Sequence, residues 1–151
     1  MSVTEYRGNI FNSQCQTLVN TVNCMGIMGK GIALAFKSQF PDMYAEYRTV
    51  CHQHMLRPGM ILPYRRGHPW ILNFAVKDHW RNPSQMEWVD TCLAKFAMHY
   101  QRLGITSCAF PHIGCENGQL SWDEVHVHML RALEPLSIPI EIIEWDGTLT
   151  L

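Results

Sequence analysis

The sequence predicts an α/β fold, in which helices cover a mostly parallel or mixed sheet. Short runs rich in Val, Ile, Leu and aromatic residues alternate along the chain with longer segments whose apolar residues recur at helical spacing. Glycine or proline separates most of these runs, as expected for turns between strands and helices. Such alternation is typical of domains with helical layers on a central sheet.

The length and composition favour a globular protein with no broad basic surface. The chain has 151 residues, of which 47% are hydrophobic and 17% charged, and its net charge is −1. We therefore expect residues 1–151 to form one domain, and we do not expect nucleic acid to bind through extensive phosphate neutralisation. No apolar run approaches the ~20 residues of a membrane span, and MSVTEYRGNI is not a signal peptide. We expect a cytoplasmic protein with no membrane partner.

The first half of the chain predicts strands and helices in turn. The expected strands are residues 3–6, 17–19, 60–62 and 70–74. The expected helices are residues 32–36 and 43–54. Phe40-Pro41 ends the first helix, because proline cannot continue it, and Asp42 is the expected N-cap of the second.

A long amphipathic helix is predicted after Asn82. This residue is the expected N-cap, with Pro83 at the first helical position and Gly104 at the end of the helix. Its apolar stripe comprises Met86, Val89, Leu93, Phe96, Ala97 and Tyr100. A buried strand is expected at residues 105–110.

The last predicted helix follows Ser121. Ser121 and Glu124 have the spacing of a capping box, and Pro135 ends the helix. A final strand is expected at residues 138–145.

Cysteine and histidine spacing predicts neither disulfides nor a metal site. The six cysteines form no CxxC pair and are scattered through apolar segments, so we expect reduced thiols. The histidines pair as 52 with 54 and 126 with 128, but residues two apart on a helix face different directions.

The most informative stretch is residues 17–36, TLVNTVNCMGIMGKGIALAF. A buried strand runs into Gly26, Gly29 and Gly31 and then into an apolar helix. In such a connection the glycines allow close backbone approach, and the first N–H groups of the helix point at a negative group. The spacing matches neither GxxxxGK[ST] nor GxGxxG. Asn20 and Asn23 favour a sugar-binding role over a tight turn without a ligand.

Three loops with unusual polar content follow predicted strands, at residues 20–31, 75–82 and 111–120. Ligands of open α/β sheets bind at the carboxyl ends of the strands. We therefore expect these loops, called below the first, second and third loops, to border one crevice.

Three motifs in this order, VNTVNCMGIMGKGIALAFKSQFP, NFAVKDHWR and FPHIGCENGQLSW, resemble the macrodomain family over nearly the whole chain. The resemblance implies a three-layer α/β/α fold with a six-stranded mixed sheet that binds ADP-ribose between two glycine-rich loops. Within the family, NTVN, MGKGIA, K-x-HWR and GC-x-NG-x-L-x-W look most similar to the macrodomains of DNA ADP-ribosyl glycohydrolase antitoxins (DarG). Those macrodomains are themselves similar to a human terminal ADP-ribose protein glycohydrolase.

The resemblance places the ligand mainly between the first and third loops. Asn9 matches the position where many macrodomains read the adenine amino group with an aspartate, and Asn23 matches the asparagine that holds the distal ribose. Asn20 is expected to support the loop. The implied ADP-ribose-binding residues are Asn9, Ile10, Asn20, Asn23, Met28, Gly29, Lys30, Gly31, Ile32, Trp80, Ile113, Gly114, Cys115, Glu116, Asn117, Gly118, Gln119 and Leu120.

Lys77 is the implied catalytic residue, because it matches the lysine on which glycohydrolase activity depends. Gly118 stands where the human relative has an assisting acidic residue, and Glu116, two residues earlier, either takes an acid–base role or narrows the pocket. Trp80 either stacks on a base or covers the end of the sheet. Cys115 is better explained as a small residue near phosphate than as a nucleophile, since His112 is the only identifiable base for it.

The resemblance implies a hydrolase that removes ADP-ribose from thymidine bases of single-stranded DNA, as antitoxin to a DNA ADP-ribosyltransferase toxin. One alternative is a hydrolase of the same fold acting on ADP-ribosyl-glutamate in proteins or on O-acetyl-ADP-ribose. Another is a non-catalytic ADP-ribose reader, against which Lys77 argues because binding alone needs no amine beside the distal ribose. The implied partners are ADP-ribose, the modified DNA and a cognate toxin. No cofactor or metal is implied, and we expect a monomer.

Overall fold

The computed structural model describes residues 3–148, in which strands and helices alternate as the sequence predicts. The strands are β1 (Val3–Gly8), β2 (Thr17–Val22), β3 (Ile61–Tyr64), β4 (Trp70–Ala75), β5 (Cys108–Pro111) and β6 (Ile140–Trp145). The helices are α1 (Gly31–Gln39), α2 (Pro41–His52), α3 (Met86–Leu103) and α4 (Trp122–Leu133), and a 3-10 turn (Ile10–Asn12) follows β1. None of the helices in this range has the length and apolar character of a membrane span.

The strands between residues 3 and 148 form one six-stranded sheet in the order β1-β6-β5-β2-β4-β3. All neighbours run parallel except β3, which pairs antiparallel with β4 at one edge. The prediction of a six-stranded mixed sheet is therefore confirmed. Because β2, β4, β5 and β6 run parallel, their carboxyl ends meet at one edge, where the three polar loops also begin.

Two hydrophobic cores, one on each face of the sheet, hold the layers together. On one face α3 and α4 cover the sheet, and Phe96 of α3 is buried there. On the other face α1 and α2 bury Phe36 and Tyr47. Successive residues of a strand point to opposite faces, so Val19 belongs to the first core and Leu18 to the second. The predicted three-layer α/β/α architecture follows from these two cores.

The predicted start of α2 is wrong by a small margin. The helix begins at Pro41 with Phe40 as its N-cap, so Asp42 is not the cap. Asp42 lies in the first turn instead, where its carboxylate still interacts favourably with the helix dipole.

The predicted start of α3 at Asn82-Pro83 is also wrong. The helix begins at Met86, because the backbone N–H of Asn82 donates to the carbonyl of His79 in a turn and that of Ser84 donates to Gly118 in the third loop. A local turn at His79 and a long-range contact with the third loop thus take the backbone N–H groups of this segment.

The ends of the later elements show two further differences. Ser121 is the N-cap of α4, but its side chain makes no capping hydrogen bond, so the capping-box prediction is wrong. The strand expected at residues 105–110 begins only at Cys108, because the N–H of Ile105 donates to the carbonyl of Tyr100 and completes the end of α3. Gly104 has a left-handed φ of 82°, which confirms its predicted place at the helix end.

Candidate functional site

A cavity of about 660 Å³ lies at the carboxyl ends of β2, β4, β5 and β6 and is bordered by all three polar loops. Its volume is within the range of small-molecule sites. A groove of similar volume, 680 Å³, lies between α2 and β3 and contains none of the residues predicted for the site. The cavity at the strand ends is therefore the candidate functional site.

Most of the predicted site residues line this cavity. They are Asn23, Gly29, Lys30, Ile32, Lys77, Trp80, Gly114, Cys115, Glu116, Asn117, Gly118 and Gln119. The other predicted residues are outside the lining, and they are Asn9, Ile10, Asn20, Met28, Gly31, Ile113 and Leu120. Three of them, Ile10, Met28 and Ile113, are core residues whose side chains have almost no exposed surface.

Asn20 lies inside β2, which extends to Val22, and its side chain is buried. Its Nδ2 donates to Oδ1 of Asn73 on β4 at 3.1 Å and approaches Sδ of Met28 at 3.7 Å. Buried amides need such partners, since an unpaired polar group in the core is costly. Asn20 thus connects β2 with β4 and with the first loop, which agrees with the supporting role expected for it.

Asn23 lines the cavity and also folds the first loop. Its Nδ2 donates to the carbonyl of Ile27 at 2.8 Å, and its Oδ1 accepts from the N–H of Met25 at 2.9 Å. The buried hydroxyl of Tyr47, from α2, donates toward the backbone carbonyl and Oδ1 of Asn23 at 2.7 and 3.0 Å. One hydrogen of the Asn23 amide is not used by these bonds, so a ligand hydroxyl in the cavity has a donor available.

Asn9 is the N-cap of the 3-10 turn after β1. Its Oδ1 accepts from the N–H of Phe11, and its Nδ2 donates to the backbone carbonyl and hydroxyl oxygens of Thr148. These bonds connect the end of β1 with the segment after β6. A contact between Asn9 and an adenine amino group stays a prediction.

The start of α1 faces the cavity. The helix begins at Gly31, and Lys30 and Ile32 on either side line the cavity. The free N–H groups and the dipole of a helix N-terminus favour an anion at this place. Gly31 has a φ of +57°, and a Cβ there would lie 2.8 Å from Nδ2 of Asn117. The first and third loops therefore approach each other closely at Gly31, where the left-handed φ favours glycine.

The third loop is held by close packing at Gly118. A Cβ at this residue would lie 2.4 Å from the carbonyl oxygen of Gly114 and 2.4 Å from Oγ of Ser84. The N–H of Ser84 donates to the carbonyl of Gly118, and the N–H of Leu120 donates to that of Gly114, both at 2.9 Å. These contacts fix the third loop against the segment that follows the second loop.

Lys77 brings its amine to the junction of the second and third loops. Nζ donates to the carbonyl of Trp80 at 3.2 Å and to that of Asn117 at 2.8 Å. Burial lowers the pKa of Lys77 from its ordinary value, and the nearby charge of Lys30 lowers it further. An amine with a lowered pKa is neutral more often at a given pH, which is what nucleophilic or acid–base chemistry requires.

The other reactive groups of the third loop are Cys115 and Glu116. Burial, with a smaller contribution from the charge of Glu116, raises the pKa of Cys115 to about 11, so the thiol stays protonated near neutral pH. This agrees with the preference against Cys115 as a nucleophile. Burial, with the charge of Glu144, also raises the pKa of the Glu116 carboxyl, and a raised pKa suits a carboxyl group to proton transfer.

The charges around the cavity are mainly positive, although the chain as a whole is slightly acidic. Lys30, Lys77 and Arg81 line it, against the carboxyl group of Glu116. Cations that share a cavity with a helix N-terminus favour an anionic ligand such as a diphosphate.

Further residues line the cavity without having been predicted from the sequence. They are Thr21, Val22, Ile27, Ala33, Val76, Arg81, Ser84, Pro111, His112 and Trp145. Several lie at the last positions of β2, β5 and β6, and their place at the strand ends was the signal that could have found them. His112 is held by stacking on Trp122, with ring centroids 3.4 Å apart and planes 5° from parallel.

Between residues 3 and 148, no three His, Cys, Asp or Glu side chains are grouped closely enough to hold a metal ion. His126 pairs with Glu5 of β1 at 2.9 Å, and His128 pairs with Asp90 of α3 at 2.7 Å. His126 and His128 thus contact carboxylates on different elements, and they do not face a common site. The six cysteines are all free thiols.

The sheet order, the helical layers and a cavity between two glycine-rich loops define a macrodomain. The family model of the Macro domain matches residues 19–129, and the chain belongs to this family. Within it, the chain is 44% identical over 134 residues to a DNA ADP-ribosyl glycohydrolase of Thermus aquaticus, a match covering 86% of this chain and 37% of the relative. It is 34% identical over 154 residues to a DNA ADP-ribosyl transferase-DNA ADP-ribosyl glycohydrolase fusion protein of Thermosipho africanus, covering 89% of this chain and 40% of the relative.

The chain is also similar in structure to two solved macrodomain proteins. The macrodomain of Thermus aquaticus DarG has a TM-score of 0.86 and 40% identity, with 95% of this chain and 97% of that chain covered. Thermosipho africanus DarTG in complex with ADP-ribose has a TM-score of 0.88 and 34% identity, with 95% of this chain and 41% of that chain covered. The predicted macrodomain fold and the resemblance to DarG macrodomains are confirmed. The chain spans only about two fifths of the curated relatives described above.

The packing at Gly118 predicts that even a methyl group is not tolerated there. We expect Gly118→Ala to lower the free energy of unfolding by about 1–3 kcal/mol, because the loop or Ser84 must move to make room. Urea denaturation measures the change. The matched control is Gly67→Ala, since a Cβ at Gly67 meets nothing within 4 Å. Equal midpoints for the two variants would show that the third loop is not packed as described.

Proposed function

We propose that this macrodomain hydrolyses the N-glycosidic bond between ADP-ribose and thymidine in single-stranded DNA, and that it acts as antitoxin to a DNA ADP-ribosyltransferase. The observation that carries the proposal is the position of Lys77, whose amine lies in the cavity wall where the second and third loops meet. The names of the Thermus and Thermosipho relatives support the reaction, and the fusion of transferase and glycohydrolase in one of them supports the toxin partner.

ADP-ribose is the ligand that the cavity suits. The positive side chains and the N-terminus of α1 are suited to its diphosphate, and the free Asn23 amide hydrogen is suited to a ribose hydroxyl. The likeness to a structure that contains ADP-ribose supports this assignment. The roles of the individual lining residues are part of the proposal.

In the proposed reaction Lys77 acts as a nucleophile. The lone pair of neutral Nζ forms a bond to C1″ of the distal ribose, while the bond from C1″ to the thymine nitrogen breaks and the base leaves with the electron pair. The base gains a proton from water, and at lower pH the Glu116 carboxyl in the cavity lining, whose pKa is raised, can supply it instead. Opening of the sugar ring gives a Schiff base, and water hydrolyses it to ADP-ribose and the free amine.

A second role for Lys77 uses its charged form. A protonated Nζ would stabilise the negative charge that develops on the leaving base, without forming a covalent bond. Its two carbonyl acceptors, Trp80 and Asn117, stabilise this charged form, whereas burial and Lys30 oppose it. The two roles differ in their dependence on pH and in whether an adduct can be trapped.

The substrate is tested against its two rivals in one assay. ADP-ribose release is followed from a thymidine-ADP-ribosylated oligonucleotide, from glutamate-ADP-ribosylated protein and from O-acetyl-ADP-ribose. We expect release from the oligonucleotide. Release from the protein or the acetylated sugar alone would favour a different macrodomain hydrolase, and binding of ADP-ribose without any release would favour a reader.

Gly29 tests the ligand site. Its backbone is not strained, and a Cβ there would meet only Cγ2 of Ile27 at 3.4 Å, so the fold accepts a side chain while the cavity loses space. We expect Gly29→Leu to weaken ADP-ribose binding at least about tenfold, equivalent to ~1.4 kcal/mol, in a calorimetric titration. Gly67→Leu, at an open position away from the cavity lining, should bind as the wild type does. Unchanged affinity in folded Gly29→Leu would remove the ligand assignment.

Lys77→Ala tests the catalytic role. We expect ADP-ribose to bind within several-fold of the wild-type affinity while turnover of the modified oligonucleotide falls at least ~10²-fold, the scale of one catalytic group. Borohydride added during turnover should trap a covalent product in the wild type and none in the variant, because only a Schiff base is reduced. Wild-type turnover in Lys77→Ala would shift the chemistry to Glu116 or to a water molecule.

The lowered pKa of Lys77 predicts the shape of the pH profile. If the neutral amine reacts, kcat rises with pH as Lys77 loses its proton and levels off below the ordinary value of 10.5. The measurement is kcat against pH, corrected for release without enzyme, with Lys77→Arg as the control that keeps its proton throughout. A kcat that falls over this range, together with activity in Lys77→Arg, would mean that the charged form is the active one.

A further inference from the structure

A turn at the edge of the cavity carries an aromatic and a cationic side chain that the proposed chemistry does not use. It consists of His79, Trp80 and Arg81, and is called here the rim turn. Trp80 and Arg81 both line the cavity and are both exposed, with 40% of Trp80 accessible. Its place in the lining of the cavity, rather than its exposure, makes this amphipathic ring suited to contact a ligand.

The backbone of the rim turn is fixed. The carbonyl of Trp80 accepts from Nζ of Lys77 at 3.2 Å, and the N–H of Arg81 donates to Nδ1 of His79 at 3.1 Å. The N–H of Asn82 donates to the carbonyl of His79 at 3.0 Å. The backbone of Trp80 is thereby held beside the amine of Lys77, and its side chain lines the same cavity.

The Trp80 ring is in contact with two neighbouring side chains, which a nucleobase could replace. The Arg81 guanidinium lies over the ring at 4.6 Å from its centroid, and the His79 ring lies 5.1 Å away at 31°. A cation–π contact at an exposed site contributes roughly two- to fivefold to an equilibrium. Stacking of a base on an aromatic side chain contributes roughly fivefold to a hundredfold. Stacking by a base can therefore offset the loss of the Arg81 contact with the ring.

Once a base has replaced it on the Trp80 ring, Arg81 can bind a phosphate of the same DNA strand. A nucleotide whose base stacks on Trp80 brings a phosphate with it, and arginine binds phosphate with two parallel hydrogen bonds. The rim turn thus carries the two contacts typical of proteins that hold single strands, which are an aromatic platform and a cation for the backbone.

We propose that the rim turn binds the DNA strand beside the modified thymidine, with Trp80 stacking on a neighbouring base and Arg81 contacting its phosphate. This inference rests on the proposed function, since it concerns the same substrate. It assigns Trp80 to the DNA rather than to ADP-ribose. Because the net charge of the chain is −1, we expect the rim turn and the cavity to be the main determinants of substrate affinity.

The experiment compares two ligands that share the ADP-ribose group. One is a thymidine-ADP-ribosylated single-stranded oligonucleotide, and the other is ADP-ribosylated thymidine monophosphate, which has no neighbouring nucleotide. Affinities are measured in the Lys77→Gln background, whose amide keeps a donor beside the Trp80 carbonyl while turnover is suppressed. Turnover of both substrates is measured separately with Lys77 intact.

We expect Trp80→Ala to weaken the binding of the oligonucleotide at least fivefold more than the binding of the mononucleotide. Trp80→Phe should restore most of the affinity for the oligonucleotide. The control is Met98→Ala, since Met98 is an exposed apolar side chain on α3 outside the cavity lining. This variant should bind both ligands with the wild-type affinity. An equal loss of affinity for both ligands would show that Trp80 contacts ADP-ribose. Unchanged affinity for both would show that Trp80 contacts neither part of the substrate. Both results overturn the inference.

Arg81 provides an independent measurement. The logarithm of the affinity for the oligonucleotide is plotted against the logarithm of the salt concentration. Arg81→Gln should make this slope shallower by the amount that corresponds to about one phosphate contact, whereas Arg131→Gln on α4 should leave it unchanged. An unchanged slope in Arg81→Gln overturns the phosphate contact. Failure of the intact protein to release ADP-ribose from either substrate would overturn the proposed function, and it would leave the affinity comparison to decide the rim turn.

Discussion

The lack of space around Gly118 is the constraint on which the site depends. Its backbone lies so close to Gly114 and Ser84 that no side chain fits between them. Ser84 belongs to the segment between β4 and α3, so this contact holds the third loop against the second. The carbonyl of Asn117, the preceding residue, then lies 2.8 Å from the amine of Lys77. A glycine without a functional side chain therefore helps to position one of the two carbonyls that accept from Lys77.

The environment of Lys77 contains two opposing influences on its proton. The carbonyls of Trp80 and Asn117 accept hydrogen bonds and stabilise the ammonium form, whereas burial and Lys30 lower the pKa. The balance between these influences sets the fraction of neutral amine that is available for the proposed reaction.

The distribution of charge matters more here than its sum. A net charge of −1 argues against a broad nucleic-acid surface, and that argument still holds for the molecule as a whole. The fold nevertheless brings Lys30, Lys77 and Arg81 from two different loops to one cavity. An acidic protein can bind an anionic ligand in this way because field strength inside a cavity depends on the nearest charges.

The sequence by itself determined the α/β class, the order of strands and helices and the loops that border the cavity, because hydrophobic periodicity and turn residues act locally. The residue pattern alone did not distinguish Asn20 from Asn23, which lie in the same motif, and only the family resemblance gave them different roles. Only the register of β2 against β4 buries Asn20 against Asn73, 53 residues away, and leaves Asn23 at the cavity. The bond from the N–H of Ser84 to Gly118, in the segment where the helix start was wrongly predicted, and the acceptor of Lys77 at Asn117, 40 residues away, have the same origin. Tertiary packing decides which polar groups are already paired, and a local pattern contains no information about partners so distant in the chain.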